Sequence, residues 1–177
     1  MKTFCSLALA FAIVGTLGAA EYKLDASNTT INWKGTKKDG EHTGSFKTIS
    51  GTISGDDAKS IKIDVTIDTT SLTSDNDKLT AHLKSPDFFE CKEYPKATFT
   101  STKVTKGDKD GEYTITGDLT IRGKKKEISF PATISMKDGT MSLKAEFAID
   151  RTDFGMTYGV GKIDNKVSLK VMVEAKK

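Results

Sequence analysis

Strict alternation of apolar and polar residues constrains this chain more than any other feature. Between residues 61 and 67, every second residue is Ile or Val, and the residues between them are Lys, Asp or Thr. Successive side chains of a β-strand point to opposite faces, so the pattern predicts a strand with one buried and one solvated face. The same period of two recurs in segments 31–33, 113–121, 128–136, 141–149 and 167–173.

Turn dipeptides separate these segments. Asp39-Gly40, Asp110-Gly111 and Asp138-Gly139 tolerate the positive φ angles of tight hairpins. Adding weaker segments at 41–46, 48–54 and 97–104 gives about eight strands, without alternating long helices. The sequence therefore predicts an all-β fold, an extended eight-stranded antiparallel β-barrel, with a β-sandwich as the competing architecture.

A proline interrupts one predicted strand. Pro131 lies within the alternating segment 128–136 and has no backbone N–H to donate to a neighbouring strand. A bulge or a locally free edge is therefore expected there.

A short segment near residues 74–90 breaks the period of two. Ser74 stands three residues before an acidic residue, and Leu79 and Leu83 are four apart, which predicts a short capped helix over one end of the barrel. Ser85-Pro86-Asp87 predicts the start of a second, very short helix.

Two adjacent phenylalanines follow that second predicted helix. Phe88 and Phe89 either plug the end of the barrel core or line the entrance to a ligand cavity. His82 has two similar interpretations, a helix residue with its ring hydrogen-bonded locally or a donor to a ligand's polar head. Arg151 also has two interpretations. Its guanidinium either has a structural role, bound to Asp153 or to a backbone carbonyl, or contacts a ligand head group.

The first twenty residues have a different composition from the rest. Lys2 precedes an uncharged run at 3–15, which is followed by Gly18, Ala19 and Ala20. This predicts a secretory signal peptide at 1–20 and one domain at 21–177, located in the periplasm or secreted. Because the run is shorter than the roughly 20 apolar residues of a membrane span, no stable membrane insertion is expected.

Charge and motif spacing argue against several function classes. The chain has 27 Lys and Arg against 24 Asp and Glu, and only two of the basic residues are arginines, so no concentrated patch for nucleic acid is expected. Glycines at 155–162 lack phosphate-loop spacing, and the two histidines are forty residues apart. We therefore expect no enzyme activity, no catalytic residues, no metal site and no cofactor.

A set of motifs spread over residues 21–177 resembles the YceI-like family of bacterial periplasmic and secreted proteins. The central motif comprises Asp75-Asn76-Asp77-Lys78-Leu79, His82-Leu83-Lys84-Ser85-Pro86-Asp87-Phe88-Phe89, Tyr94-Pro95 and Ala97-Thr98-Phe99. The flanking matches are Tyr22, Leu24, Asp25, Trp33, Gly117-Asp118-Leu119-Thr120-Ile121-Arg122-Gly123, Arg151-Thr152-Asp153-Phe154-Gly155 and Tyr158.

The resemblance implies a lipocalin-like barrel whose apolar bore holds a long-chain lipid, a polyisoprenoid, an isoprenoid quinone or a fatty-acyl compound. The predicted partner is such a lipid, sequestered or carried by the protein, with a homodimer left open. An alternative is a filled barrel that acts through its surface in envelope stress or partner binding. The predicted ligand-binding residues are Trp33, Ile63, Val65, His82, Phe88, Phe89, Phe99, Ile115, Phe130, Phe147, Arg151, Phe154 and Val171.

The predicted processing has a direct consequence for the mature protein. Cys5 lies within the signal peptide, so cleavage leaves Cys91 as the single cysteine. Intact mass of the exported protein should correspond to a chain that begins at or near Glu21, with one thiol that titrates after denaturation. A product that retains Met1 would contradict the signal peptide.

Overall fold

The computed structural model describes residues 19–177 and consists mainly of strands. In that part of the chain, one α-helix, α1 (Asp77–Leu83), and two 3₁₀ turns at Thr69–Ser71 and Arg151–Phe154 interrupt the strands. The strands are β1 (Glu21–Asp25), β2 (Thr29–Lys37), β3 (Gly40–Phe46), β4 (Ile49–Ser54), β5 (Lys62–Asp68), β6 (Leu72–Ser74), β7 (Lys96–Lys106), β8 (Glu112–Ile121), β9 (Lys124–Lys137), β10 (Thr140–Asp150) and β11 (Ile163–Lys176).

All of these strands form one antiparallel sheet in the order β1-β4-β5-β7-β8-β9-β10-β11-β2-β3-β6. Three consecutive pairs, β1 with β2, β3 with β4, and β5 with β6, are separated along the chain by only two or three residues. If each pair is taken as one interrupted strand, eight long strands follow one another around a ring, which β2 and β11 close. The predicted all-β barrel is confirmed.

Local breaks explain why the structure has eleven strands rather than eight. Asp68 accepts a hydrogen bond from Thr70 N at 2.8 Å and so starts the 3₁₀ turn that separates β5 from β6. Ser71 in that turn accepts from the backbone of Lys47 and Thr48, the two residues between β3 and β4. The two breaks therefore lie side by side and bend the sheet at one place.

The ladder between β9 and β10 ends beside Pro131, as predicted. Paired residues run from Lys137 opposite Thr140 to Ala132 opposite Ala145, and pairing stops there. On its other side Pro131 stays in register with Thr114 of β8. The missing N–H leaves the first half of β9 unpaired with the second half of β10.

The predicted helix is present, but its cap differs from the prediction. The side chain of Asn76, not Ser74, accepts from Leu79 N at 3.0 Å, because Ser74 is still paired with Gly44 as the last residue of β6. Ser74 Oγ instead donates to the Asn76 carbonyl at 2.7 Å.

The second predicted helix does not form. After α1 the backbone makes turns whose N–H groups return to carbonyls at the end of α1 and just beyond it. Phe89 N donates to Leu83 O at 3.0 Å, and Cys91 N donates to Lys84 O at 3.0 Å. These bonds satisfy the carbonyls at the C-terminus of α1, so the chain is folded back under the helix rather than continuing as a new one.

One end of the barrel is filled by side chains. The residues that face inward here pack into a continuous core, in which the rings of Phe130 and Phe147 stack at 4.1 Å and Phe99 lies 5.6 Å from Phe130. The buried members are Ala20, Tyr22, Leu24, Ile53, Ile61, Ile63, Ile115, Phe130, Ala132, Ile134, Met141, Leu143, Ala145, Val173 and Ala175. We call this set the closed-end core.

The opposite end, where α1 lies, has a smaller core. Its buried residues are Phe88, Ala97, Leu119, Ile121, Phe154 and Met156. We call this set the helix-end core. Cys91 is also buried near this core. Its Sγ donates a hydrogen bond to the Thr69 carbonyl at 3.2 Å, and burial raises the pKa of this thiol.

The predicted signal peptide lies almost wholly outside the described residues. Ala20, its last predicted residue, is buried in the closed-end core, and its carbonyl accepts from Gly55 N at 2.8 Å. No helix in the described segment 19–177 has the length and apolar character needed to span a bilayer.

The two phenylalanines after α1 differ in burial, so their removal should differ in cost. Phe88 is 6% exposed, whereas Phe89 is half-buried and meets Phe46 edge to face at 5.9 Å. Phe88→Ala should lower the free energy of unfolding by about 3–5 kcal/mol, the usual range for a buried ring, and Phe89→Ala by less. Urea unfolding of both variants tests this. Equal changes within about 0.5 kcal/mol of the parent would show that neither ring plugs the barrel.

Candidate functional site

A cavity lies at the helix end of the barrel, beneath α1. It has a volume of about 270 Å³ and an almost entirely apolar lining. The lining comes from the strands, from α1 and from the turns after it. Among its apolar residues are Ile31, Phe46, Ile67, Leu72, Leu79, Leu83, Leu119, Ile121, Ile149, Met156, Val167 and Leu169.

Four of the thirteen predicted ligand-binding residues line this cavity: Trp33, Phe88, Phe89 and Arg151. Six others are buried in the closed-end core or packed against it, away from the cavity lining: Ile63, Val65, Ile115, Phe130, Phe147 and Val171. Phe99 lies between the two cores, Phe154 is buried in the helix-end core, and His82 lies above Phe88. A ligand-binding role for each of these thirteen residues stays a prediction.

Sequence reasoning missed most of the cavity lining, although the signal was present. Ile31, Leu119 and Ile149 stand on the inward faces of alternating segments, and Leu79 and Leu83 share one face of the predicted helix. Alternation identifies the inward face but not the height of a residue along the bore. From the sequence alone, the inward residues that line the cavity could therefore not be distinguished from those in the closed-end core.

Trp33 forms part of the cavity wall. Ile31 and Trp33 point inward from β2, and the residue opposite Trp33 on β3 is Gly44. A Cβ at Gly44 would lie 2.5 Å from Cζ2 of the indole and 1.9 Å from the Thr73 carbonyl oxygen, so only glycine lets the ring lie across β3. The indole Nε1 is buried, and no acceptor within residues 19–177 bonds to it.

Gly35 leaves open space in the cavity. It is the next inward position on β2 after Trp33, and it lines the cavity. A Cβ placed on it would meet no atom within 4 Å. A larger side chain at this position would therefore enter the cavity without a clash at its root.

Arg151 is 3% exposed, yet none of the ion pairs in the described chain involves it. Its guanidinium donates to four backbone carbonyls: Nε to Asp164 at 3.1 Å, Nη1 to Tyr158 at 2.8 Å and also to Met156, and Nη2 to Ile163 at 3.2 Å. Burial lowers the pKa of Arg151. The interpretation that Arg151 binds backbone carbonyls is confirmed, and the alternative contact with Asp153 is not formed.

The loop that Arg151 holds covers one side of the cavity mouth. Tyr158 in this loop packs its ring edge-on against His82 at 4.8 Å and lies 5.4 Å from Phe88. His82 Nε2 lies 2.9 Å from Asp87 Oδ2, which confirms the interpretation of a locally hydrogen-bonded ring. Tyr158 and Val160 are nevertheless about half exposed, and they are the exposed large apolar residues of segment 19–177.

Arg122 joins the two parts of the cover. Its Nη2 lies 2.7 Å from Glu90 in the turns after α1, and its Nη1 donates to the Gly155 carbonyl at 2.8 Å. Glu90 and Arg122 both adopt positive φ angles, 51° and 50°. The turns after α1 and the loop after β10 are thus held together by one side chain, which the sequence analysis named only as part of a family motif.

His42 and Asp75 form a polar pair at the mouth. His42 lines the cavity, and its Nδ1 lies 3.0 Å from Asp75 Oδ1. This hydrogen bond lowers the pKa of Asp75. The other polar residues of the lining are Thr36, Lys37, Arg151 and Asp164. No group of three or more metal-ligating side chains occurs between residues 19 and 177.

Comparisons with solved structures show the same fold. BcnA of Burkholderia cenocepacia superimposes with a TM-score of 0.77 at 24% identity, with 84% of this chain and 96% of that chain covered. A domain from Saccharophagus degradans, described as a polyisoprenoid-binding domain implicated in plant cell wall breakdown, gives a TM-score of 0.71 at 16% identity. Its match covers 89% of this chain and 98% of that chain.

Sequence comparisons identify the family. The sequence model of the YceI-like domain matches residues 22–175. A UPF0312 protein of Pseudomonas putida is 36% identical over 190 residues, which cover 99% of this chain and 97% of that protein. With matches over almost its whole length, and with the motif residues found at 75–99, the chain belongs to the YceI-like family.

Proposed function

We propose that this protein binds a lipid with a long apolar chain, an isoprenoid or fatty-acyl compound, in the cavity at the helix end of the barrel. The observation that carries the proposal is an apolar cavity beneath a cover of separate segments, with open space above Gly35. Burial of an apolar chain there contributes about 25 cal/mol per Å² of apolar surface removed from water. The description of the Saccharophagus degradans neighbour as polyisoprenoid-binding supports the same ligand class.

The size of the cavity sets how much of such a lipid it holds. Its 270 Å³ lies just below the range of about 300–1,000 Å³ that is usual for sites of drug-sized ligands. The stacked rings of Phe130 and Phe147 stand between the cavity and the closed end. We therefore propose that one end of the lipid enters the cavity and that the remainder extends past Tyr158 and α1.

We further propose a binding protein rather than an enzyme, in the periplasm or secreted, without a cofactor. The titratable groups of the lining are Lys37, His42, Arg151 and Asp164. His42 is held by Asp75 and Arg151 by backbone carbonyls, and Cys91 is not part of the lining. Lipid acquisition in the envelope agrees with the predicted signal peptide at 1–20.

Filling the cavity should weaken binding. Gly35→Phe places a ring in the open space, and we expect at least a tenfold weaker affinity for farnesol or palmitate, which corresponds to about 1.4 kcal/mol. Ala148→Phe is the matched control, because Ala148 is exposed on β10. Ala97→Phe is a second test from the opposite wall. Fluorescence titration measures affinity, and thermal unfolding verifies the fold of each variant.

Two results would contradict the proposed function. Native mass spectrometry of protein purified without detergent should reveal a bound lipid, either one that co-purifies or one that is added afterwards. A parent protein that binds neither probe at micromolar concentration would favour the alternative of a barrel that acts through its outer surface. Equal affinity of the Gly35→Phe and Ala148→Phe variants would place the binding site elsewhere.

A further inference from the structure

We propose that the helix end of the barrel docks on an anionic lipid bilayer, through the loop at 157–162 and the tip of the hairpin between β2 and β3. We call this surface the docking face, and its residues are Lys37, Lys38, Tyr158, Val160 and Lys162. The proposal rests on the proposed function, because the docking face lies at the mouth of that same cavity.

Two apolar side chains of the docking face are open to solvent. Tyr158 and Val160 are about half exposed, and they are the exposed large apolar residues of the described segment. They lie two positions apart in one loop, so the apolar surface is exposed at one place rather than scattered. Tyrosine, with an apolar ring and a polar hydroxyl, suits the boundary between lipid tails and head groups. An aliphatic side chain such as Val160 gains free energy when it leaves water for that region.

The loop holds Val160 in its exposed position by backbone hydrogen bonds. Val160 N donates to Thr157 O at 3.3 Å, and Ile163 N donates to Gly159 O at 2.8 Å. Gly159 and Gly161, on either side of Val160, adopt positive φ angles of 64° and 83°. The exposure of Val160 is therefore fixed by the turn that carries it.

Three lysines lie beside this apolar surface. Lys162 follows it in the loop, and the start of β11 pairs with Lys37, which brings Lys37 and Lys38 next to the loop. All three lysines are exposed, and none takes part in an ion pair within residues 19–177. Lysines can keep their ammonium groups at the level of the lipid head groups while an apolar neighbour inserts.

Nearby acidic residues do not cancel this positive charge. Glu41 is held by Lys34 at 3.2 Å, and Asp164 accepts a hydrogen bond from Thr36 Oγ1. Asp39 is exposed at the tip of the hairpin. The three lysines therefore outnumber Asp39 and Asp164, and the excess attracts anionic head groups over a range of about 8 Å at physiological salt.

The small apolar area favours a bilayer over a protein partner. A specific protein interface buries about 800 Å² on each partner, and its energy comes mainly from side chains seated in well-packed pockets. Two half-exposed side chains offer much less than this area. A bilayer requires no matching shape, because its lipids rearrange around the side chains that insert.

The docking face continues into the cavity. Lys37 is part of the cavity lining, and Tyr158 lies 5.4 Å from Phe88, which also lines the cavity. Docking through this face therefore places the mouth of the cavity at the bilayer surface. A lipid then passes from the bilayer into the barrel without crossing bulk water.

The test measures co-sedimentation of the protein with phosphatidylcholine vesicles that contain or lack phosphatidylglycerol. The parent should bind the anionic vesicles and lose most of this binding at high salt. Val160→Ser should weaken binding at least about threefold, and the double variant Lys38→Gln/Lys162→Gln at least about fivefold. Val160→Trp should tighten it.

A matched control removes two lysines from the other end of the barrel. Lys59 and Lys137 are exposed beside Ala58 and Met136, which pack against the closed-end core. The double variant Lys59→Gln/Lys137→Gln should bind anionic vesicles as the parent does. All of these variants should keep the parent's affinity for farnesol in solution, because none of the replaced residues lines the cavity.

Each other outcome has a definite meaning. If the parent binds farnesol but no anionic vesicles, the docking inference is wrong and the proposed function stands. The inference is also wrong if both Val160 variants bind vesicles as the parent does, or if the closed-end control loses as much binding as Lys38→Gln/Lys162→Gln. A dimer in solution that Val160→Ser dissociates would make this face an interface between copies of the chain and would overturn the inference. If the parent binds vesicles through this face but no farnesol, the docking inference stands and the proposed function fails.

Discussion

Closure of the sheet between β2 and β11 is the constraint on which the rest of the structure depends. Leu169 of β11 stands opposite Trp33 of β2 in this ladder, and both residues line the cavity. Because the ladder completes the ring, every inward side chain faces a common interior rather than solvent. An open sheet built from the same strands would expose the apolar face that alternation creates.

The two ends of this interior differ in how they are occupied. At the closed end, aromatic and aliphatic side chains meet across the barrel, as the stacked pair Phe130 and Phe147 shows. At the helix end the wall carries Gly35, where an added Cβ would meet open space. Part of the space for a ligand therefore arises from the missing side chain at Gly35.

The cover over the cavity depends on two arginines rather than on a continuous apolar interface. Arg122 joins Glu90 to the Gly155 carbonyl, and Arg151 gathers the carbonyls of the loop that follows. A buried guanidinium is tolerated when its N–H groups are satisfied, and around Arg151 backbone carbonyls satisfy them without a carboxylate. Tyr158 rests on His82 and Phe88 but stays about half exposed, so part of the cover faces solvent. We propose this side as the route by which a lipid enters.

The fold was predictable from the sequence because its signals are local. Alternation and Asp-Gly turns specify strands, faces and hairpins, and Pro131 marks the break in a ladder. The sequence pattern predicts Ser74 as the helix cap, but Ser74 pairs with Gly44 in the sheet and Asn76 caps the helix instead. Ser74 and Gly44 are thirty positions apart in the chain. Such a contact leaves no trace in local spacing.

The candidate site was predictable only in part. Ile115 and Leu119 are on the same face of β8, and the sequence pattern treats them alike. Four residues along a strand span about 14 Å, so Ile115 lies in the closed-end core while Leu119 lines the cavity.

The most direct measurement of the central claim is the position of the bound lipid along the barrel. Methyl NMR of protein loaded with farnesol reports separately on the two ends, because Ile31, Leu79 and Leu119 line the cavity whereas Ile115, Leu143 and Val173 belong to the closed-end core. A lipid held at the helix end should shift the first set of methyl signals and leave the second set in place. Shifts of equal size in both sets would show that the lipid occupies the whole bore, and shifts in neither set would show that it does not bind inside the barrel.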